Sequence, residues 1–166
     1  MNNHAHETLV ESFLRRTLRP AGGFLAEMET EARDRRIPIA LPETAALLTW
    51  LSAALRPCRI LEIGTAIGYS AAILASGQPE GGILDTIELD ADRAADARRN
   101  LERMGLSGRV RVLCGDALEI LPCLTTPYDL VFVDAAKGQY PEFLPDLVRL
   151  VAEGGTLVSD NVLYMG

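Results

Sequence analysis

Arg59-Ile60-Leu61-Glu62-Ile63-Gly64-Thr65-Ala66-Ile67-Gly68-Tyr69-Ser70 is the stretch on which the fold turns. Its apolar run, 60–63, lacks the polar alternation of a half-solvated strand, so it reads as a strand covered on both faces. Gly64 and Gly68 then allow a sharp backbone turn and close approach to a ligand, and the small residues 71–75 continue as a helix. The same texture repeats downstream. Further apolar runs at 83–88, 110–113, 130–133 and 156–159 are each followed by glycine or an acid, and segments such as 91–104 are long enough for crossover helices. This pattern predicts an α/β fold, a doubly wound, Rossmann-like parallel sheet of five strands. Such sheets bind ligands beyond the carboxyl ends of their strands, where Glu62, Glu88, Asp116, Asp134 and Asp160 stand.

Upstream the chain reads as helical. Leu9, Val10, Phe13, Leu14 and Leu18 recur at helix spacing before Pro20, Gly22 and Gly23, and a second helix covers 24–36. A third opens at Pro42 and Glu43 and turns Leu47, Leu48, Leu51 and Leu55 inward. The 166 residues are read as one domain, with an N-terminal helical region at 1–57 and a parallel-sheet, cofactor-binding core at 58–166. A net charge of −7 argues against broad electrostatic binding to nucleic acid or anionic lipid and favours small-molecule work. Cys58, Cys114 and Cys123 are too few and too scattered for a disulfide framework or zinc site and read as buried thiols. With no apolar leader or membrane-length run, a cytoplasmic protein is expected.

The turn at Gly64 and Gly68 lacks the third glycine of a dinucleotide loop, which disfavours a nicotinamide-dependent oxidoreductase and fits a ligand without pyrophosphate. Glu88, 20 residues after Gly68, stands where an acid accepts hydrogen bonds from both ribose hydroxyls. Glu62 in the same crevice suits an ammonium group, and Asp116 suits the adenine edge. Together they point to S-adenosylmethionine (SAM), a nucleoside joined to a cationic amino acid. Taken singly, the glycines read equally well as a tight turn and Glu88 as a solvated acid.

Strands four and five, if adjacent, bring Asp134, Asp160 and Asn161 to one end of the sheet. Two carboxylates and an amide oxygen are hard ligands, suited to Mg²⁺, Mn²⁺ or Ca²⁺ rather than zinc. Taken alone, each also reads as a helix cap or loop residue. Lys137, three residues past Asp134, is placed to deprotonate a hydroxyl near such a cation, and alignment with a sulfonium methyl then makes transfer an in-line displacement. A lysine is otherwise most often a solvated surface residue.

Leu61-Glu62-Ile63-Gly64-Thr65 with Gly68-Tyr69-Ser70, then Gly115-Asp116-Ala117, Asp134-Ala135-Ala136-Lys137 with Tyr140, and Asp160-Asn161-Val162-Leu163 with Gly166 resemble the cation-dependent O-methyltransferases, the family of catechol and caffeoyl-CoA O-methyltransferases and their bacterial relatives. The likeness runs over about 37–166. It implies SAM contacts at Ala40, Glu62, Gly64, Thr65, Ser70, Glu88, Ala117 and Asp134, metal ligation by Asp134, Asp160 and Asn161, and Lys137 as the catalytic base beside Asp134. The family carries seven strands where five are visible here, so a C-terminally short form is expected.

The reading is therefore a SAM-dependent O-methyltransferase transferring a methyl group to a metal-held hydroxyl of a small, catechol-like acceptor. One alternative keeps the chemistry on tRNA hydroxyuridine and rests on Arg15, Arg16, Arg19, Arg33, Arg35 and Arg36. Another is a cofactor-binding protein with weak or no catalysis. A homodimer through the N-terminal helices is expected. Trp50 is assigned to the core, Tyr69 and Tyr140 to packing or the site wall, and His4 and His6 receive no role.

Overall fold

The structure, a computed structural model, describes residues 13, 16–135 and 137–161, without the side chain of residue 137. Leu9, Val10 and Leu14 of the first expected helix, Arg15, His4 and His6 lie outside this set, while Phe13, Arg16 and Thr17 are helical. Beyond that stretch, six α-helices among the described residues, α1 (Phe24–Arg35), α2 (Pro42–Leu55), α3 (Tyr69–Gly77), α4 (Ala91–Arg103), α5 (Ala117–Ile120) and α6 (Tyr140–Leu150), accompany five strands, β1 (Arg59–Ile63), β2 (Ile83–Glu88), β3 (Val110–Cys114), β4 (Tyr128–Val133) and β5 (Val151–Ser159). The sheet is parallel throughout and ordered β3-β2-β1-β4-β5. One face packs Met28, Leu48, Leu74 and Leu101 from α1 to α4, and the other packs Phe143 and Leu147 from α6. Helices on both faces explain the continuous apolar runs of the central strands.

The expectation of full coverage fails at the margins. Outermost β3 and β5 have partly exposed residues, as strands with one neighbour do. β5 also begins five residues before the expected 156, because its pairing with β4 shifts between Tyr128 and Leu130 and Gly154, at φ +76°, masks its start.

Helix α2 corrects three assignments. Its buried residues are Ala45, Leu48 and Ser52, and Ser52 Oγ donates to the Leu74 carbonyl at 2.5 Å, drawing α2 tightly onto α3. Leu47 and Trp50 lie about 100° and 200° round the helix from Leu48. Trp50 is therefore 64% exposed instead of core, and Leu47 and the terminal Leu55 are also exposed. The three cysteines are exposed too: Cys58 precedes β1, Cys114 ends the outer strand β3, and Cys123 lies in a surface 3₁₀ turn. No described helix is long and apolar enough to cross a membrane.

A polar clamp crosses four strands at the end of the sheet away from the loops that bear the expected site. Asp85 on β2 is fully buried and accepts from Arg111 of β3 through Nε at 2.5 Å and Nη2 at 2.7 Å. The Tyr128 hydroxyl of β4 donates to Asp85 Oδ2 at 2.7 Å, and Arg59 of β1 lies 3.8 Å from the same oxygen. Burial, and then Asp85, push the Tyr128 phenol up to about 12, so it remains a donor.

Candidate functional site

In the order β3-β2-β1-β4-β5, chain direction across the sheet reverses between β1 and β4, and a crevice opens beyond their carboxyl ends. A cavity of about 760 Å³ occupies it, lined by residues that follow all five strands. This is room for a nucleoside-sized ligand. Ten residues singled out from sequence line it: Ala40, Gly64, Thr65, Ser70, Glu88, Asp116, Ala117, Asp134, Asp160 and Asn161.

The loop after β1 is held by its neighbours. Gly64 N–H and Thr65 N–H both reach the Ile87 carbonyl, at 2.9 and 3.2 Å, binding the loop to β2. Asn100 Nδ2 of α4 donates to the Ile67 carbonyl at 3.0 Å from beneath. Gly64 sits at φ +102°, and a Cβ there would fall 2.7 Å from the Asp134 carbonyl carbon, so only glycine allows β1 and β4 to exit side by side. Gly68, also left-handed, is the N-cap of α3 and is not on the cavity wall.

Glu88 ends β2 and is buried, yet borders the cavity. Its Oε2 accepts from Ala66 N–H at 2.8 Å and its Oε1 from Asp90 N–H at 3.0 Å, which fixes the carboxylate plane before any ligand arrives. Arg93 Nη1 lies 4.0 Å from Oε1. Asp116 borders the cavity as well, but its Oδ1 accepts from Leu118 N–H at 2.9 Å as the N-cap of α5.

Glu62 stands behind the wall. It is fully buried and absent from the lining residues; Thr86 Oγ1 donates to its Oε2 at 2.6 Å, and Thr65 and Thr86 hydroxyls meet at 2.5 Å. Its Oε1 has no hydrogen-bond partner within reach among the described residues. Burial pushes this carboxyl up to about 7, against the opposing pull of the Ser70 and Thr86 hydroxyls and with a smaller push from Asp134 and Glu88. The sign follows. In the unfolded chain the group ionises near 4.5 and in the fold near 7, so the stability contributed by Glu62 is fully present at and below pH 4.5 and is lost as pH climbs to about 7. The loss amounts to roughly 3 kcal/mol at about 1.4 kcal/mol per pH unit. Glu62→Gln is expected to stabilise the ligand-free protein by up to about 3 kcal/mol at pH 8 and by little near pH 5. Urea titrations at the two pH values check it, and an equal effect at both would refute it.

At the opposite rim, Val133 and Ser159 are register partners, so Asp134 and Asp160 leave β4 and β5 side by side. Tyr140 fastens this pair of ends: its hydroxyl lies 3.1 Å from the carbonyls of both Val133 and Asp160. Asn161, at φ +54°, directs its backbone N–H and its Nδ2 at Asp160 Oδ1, at 2.8 and 2.6 Å, which turns its amide oxygen away from that contact. Among the described residues no three His, Cys, Asp or Glu side chains group as a metal cluster; Asp134, Asp160 and Asn161 share the cavity wall. Lys137 opens a 3₁₀ turn two residues past the cavity-lining Ala135, and its side chain lies outside the described set.

Some wall residues escaped the sequence reading. Leu89 and Arg93 flank Glu88, and Asp90 caps α4 by accepting from Asp92 and Arg93 N–H groups, a helix-start signal that Asp90-Ala91-Asp92 carries in the sequence. Tyr69, expected as packing or site wall, is part of the wall, and its hydroxyl donates to Glu29 Oε1 at 2.5 Å. Burial and then Glu29 raise its pKa above the ordinary phenol value.

The sequence model of the O-methyltransferase family matches residues 24–166. The chain belongs to the O-methyltransferase family. Relatives include a catechol O-methyltransferase of Niastella koreensis, 37% identical over an alignment of 129 residues that covers 75% of this chain and 58% of the relative. A catechol O-methyltransferase of Mycobacterium tuberculosis is 41% identical over 120 residues, 72% of this chain and 54% of the relative. The chain thus spans little more than half the length of these curated relatives. Among solved O-methyltransferases, TomG of Streptomyces achromogenes, crystallised with SAM, superposes with a TM-score of 0.86 at 33% identity, over all of this chain and 77% of TomG. A Bacillus cereus O-methyltransferase in complex with SAH gives 0.86 at 32% identity, over 96% of this chain and 76% of that one. This O-methyltransferase chain therefore has the α/β fold expected from its strand pattern.

Proposed function

We propose that the protein is a SAM-dependent O-methyltransferase that methylates a hydroxyl of a small, catechol-like acceptor with the help of a divalent cation, Mg²⁺ in the first instance. The observation that carries this reading is one cavity with two chemically different rims: Glu88, pre-oriented by two backbone N–H groups, and the oxygen set of Asp134, Asp160 and Asn161. The buried carboxyl of Glu62 behind the wall supports a cationic ligand, because a negative group in a low-dielectric wall favours positive charge in the cavity beside it. The names of the SAM- and SAH-bound relatives support the same donor.

When bound, the donor supplies an activated methyl group, and the cation acts as a Lewis acid on the acceptor hydroxyl. The chain does the rest. Glu88 accepts the ribose hydroxyls, Ala40, Gly64, Thr65, Ser70, Asp116 and Ala117 wall the nucleoside and methionine parts, and Glu62 balances their positive charge. Asp134, Asp160 and Asn161 offer hard oxygens to the dication, and Lys137 takes the proton from the acceptor oxygen. The exposed Leu47 and Trp50 of α2 support a homodimer. Arg35 is engaged by Glu31 and Asp96, which weakens the basic face behind the tRNA alternative.

The deciding experiment is transfer of radiolabelled methyl from SAM to catechol. Turnover is expected with Mg²⁺ and at least a tenfold drop after chelation, restored by adding the metal back. Turnover indifferent to chelator removes the cation from the proposal, and SAH that binds without any turnover supports the cofactor-binding alternative.

A further inference from the structure

Helix α1 is attached to the body by a few apolar residues and by polar contacts. Of its twelve residues only Met28 and Ala32 are buried, with Phe24 and Leu25 half-covered against the core. The remaining ties reach α3 and α4: Glu29 to the Tyr69 hydroxyl at 2.5 Å, Arg35 to Asp96 at 2.7 Å, and Glu27 to Arg103 at 3.2 Å. Arg103 also lies over the Phe24 ring, 3.9 Å from its centroid. Both ends of α1 are backbone turning points. Gly23 at φ +58° precedes it, and Arg36, a non-glycine residue at φ +55°, follows it. Directly after Arg36, the segment 37–41 crosses the cavity and contributes Pro38, Ile39, Ala40 and Leu41 to its wall. One residue joins the two features: Tyr69 lines the cavity and its hydroxyl donates to Glu29.

We propose that Tyr69 and Glu29 form a latch that holds α1 and the strap 37–41 over the cofactor cavity, so that Glu29 is a positioning residue that sets how fast the cofactor leaves. This rests on the cofactor reading above. A helix with two buried residues and a few side-chain polar ties is a low-stability unit by comparison with the strands beneath it, and local opening of such a unit precedes global unfolding. Opening at Gly23 and Arg36 carries the strap with it. A ligand seated against Tyr69 steadies the phenol that Glu29 holds, so a filled cavity and a closed strap favour one another.

The test uses the whole chain and two readouts. Stopped-flow dissociation of SAH is expected to be about tenfold faster in Tyr69→Phe, which keeps the ring and loses one hydrogen bond to a charged group, and equally fast in Glu29→Ala. Glu29→Gln, which keeps an acceptor oxygen for the hydroxyl, is expected to restore most of the wild-type rate. The double variant Tyr69→Phe with Glu29→Ala is expected to be no faster than either single one. Dissociation unchanged within twofold in both single variants, or additive effects, would overturn the latch. Amide hydrogen exchange on the ligand-free protein supplies the second readout. Exchange across 24–35 is expected to rise in Tyr69→Phe and Glu29→Ala while amides of β1 and β4 keep their protection. Unchanged exchange in α1, or a parallel rise in the strands, overturns the proposal. If SAH gives no binding signal in wild type, the cofactor reading fails and exchange alone decides the latch.

Discussion

Gly64→Ala is expected to weaken SAH binding by at least about 100-fold and to lower fold stability by a few kcal/mol. The reason is backbone geometry. At φ +102° a side chain is strained whatever space surrounds it, and here there is none: the new Cβ meets the main chain of Asp134, which is itself hydrogen-bonded to the Ile63 carbonyl at 2.8 Å. Relief requires β1 and β4 to part at their carboxyl ends. That movement displaces Asp134 from one rim and the Gly64–Thr65 turn from the other, so both halves of the site are lost together. Isothermal titration with SAH, read beside urea unfolding, measures the two effects. Affinity within fivefold of wild type would mean that the junction of β1 and β4 does not shape the cavity.

Asp85→Ala is expected to cost about 3 kcal/mol of stability, because it strands the buried Tyr128 hydroxyl and leaves Arg111 without its two-pronged acceptor. Arg111 is 60% exposed and recovers water, which keeps the loss toward the lower end for a broken buried pair. Tyr128→Phe removes one donor and is expected to cost about 1 kcal/mol. For a domain of this size the Asp85 variant should melt roughly 6–12 °C below wild type. Asp85 is remote from the cavity, so SAH affinity measured well below that melting temperature is expected to stay near the wild-type value. A stability loss under 1 kcal/mol would show that the clamp across β3, β2, β1 and β4 is incidental.

The strand pattern was legible because burial on both faces leaves a compositional trace: Ile60 to Ile63 and Val131 to Val133 admit little that is polar except Glu62. Positions beyond strand ends were legible for the same reason, since the first acid or glycine after each run marks where the chain leaves the sheet. Side-chain direction was not. Trp50 and Leu48 are both apolar and two residues apart on one helix, and only the close approach of Ser52 to α3 decides which faces inward. Glu62 illustrates a second limit: its position in the sequence is that of a site acid, but its depth behind the wall depends on how Thr65 and Thr86 pack over it. The Tyr69 to Glu29 contact spans 40 residues and two helices, a distance over which local periodicity carries no information.

The strand order has a consequence for how the molecule is made. β1 can zip to β2 as soon as residue 88 has emerged, but its other edge waits for β4, whose Leu130 pairs with Ile60 across 70 residues of chain. During synthesis the ribosome therefore releases a half-sheet with one apolar flank uncovered, a species prone to wrong partners. The crevice between β1 and β4 closes only after that pairing, so a nascent chain acquires its ligand pocket only once β4 has emerged.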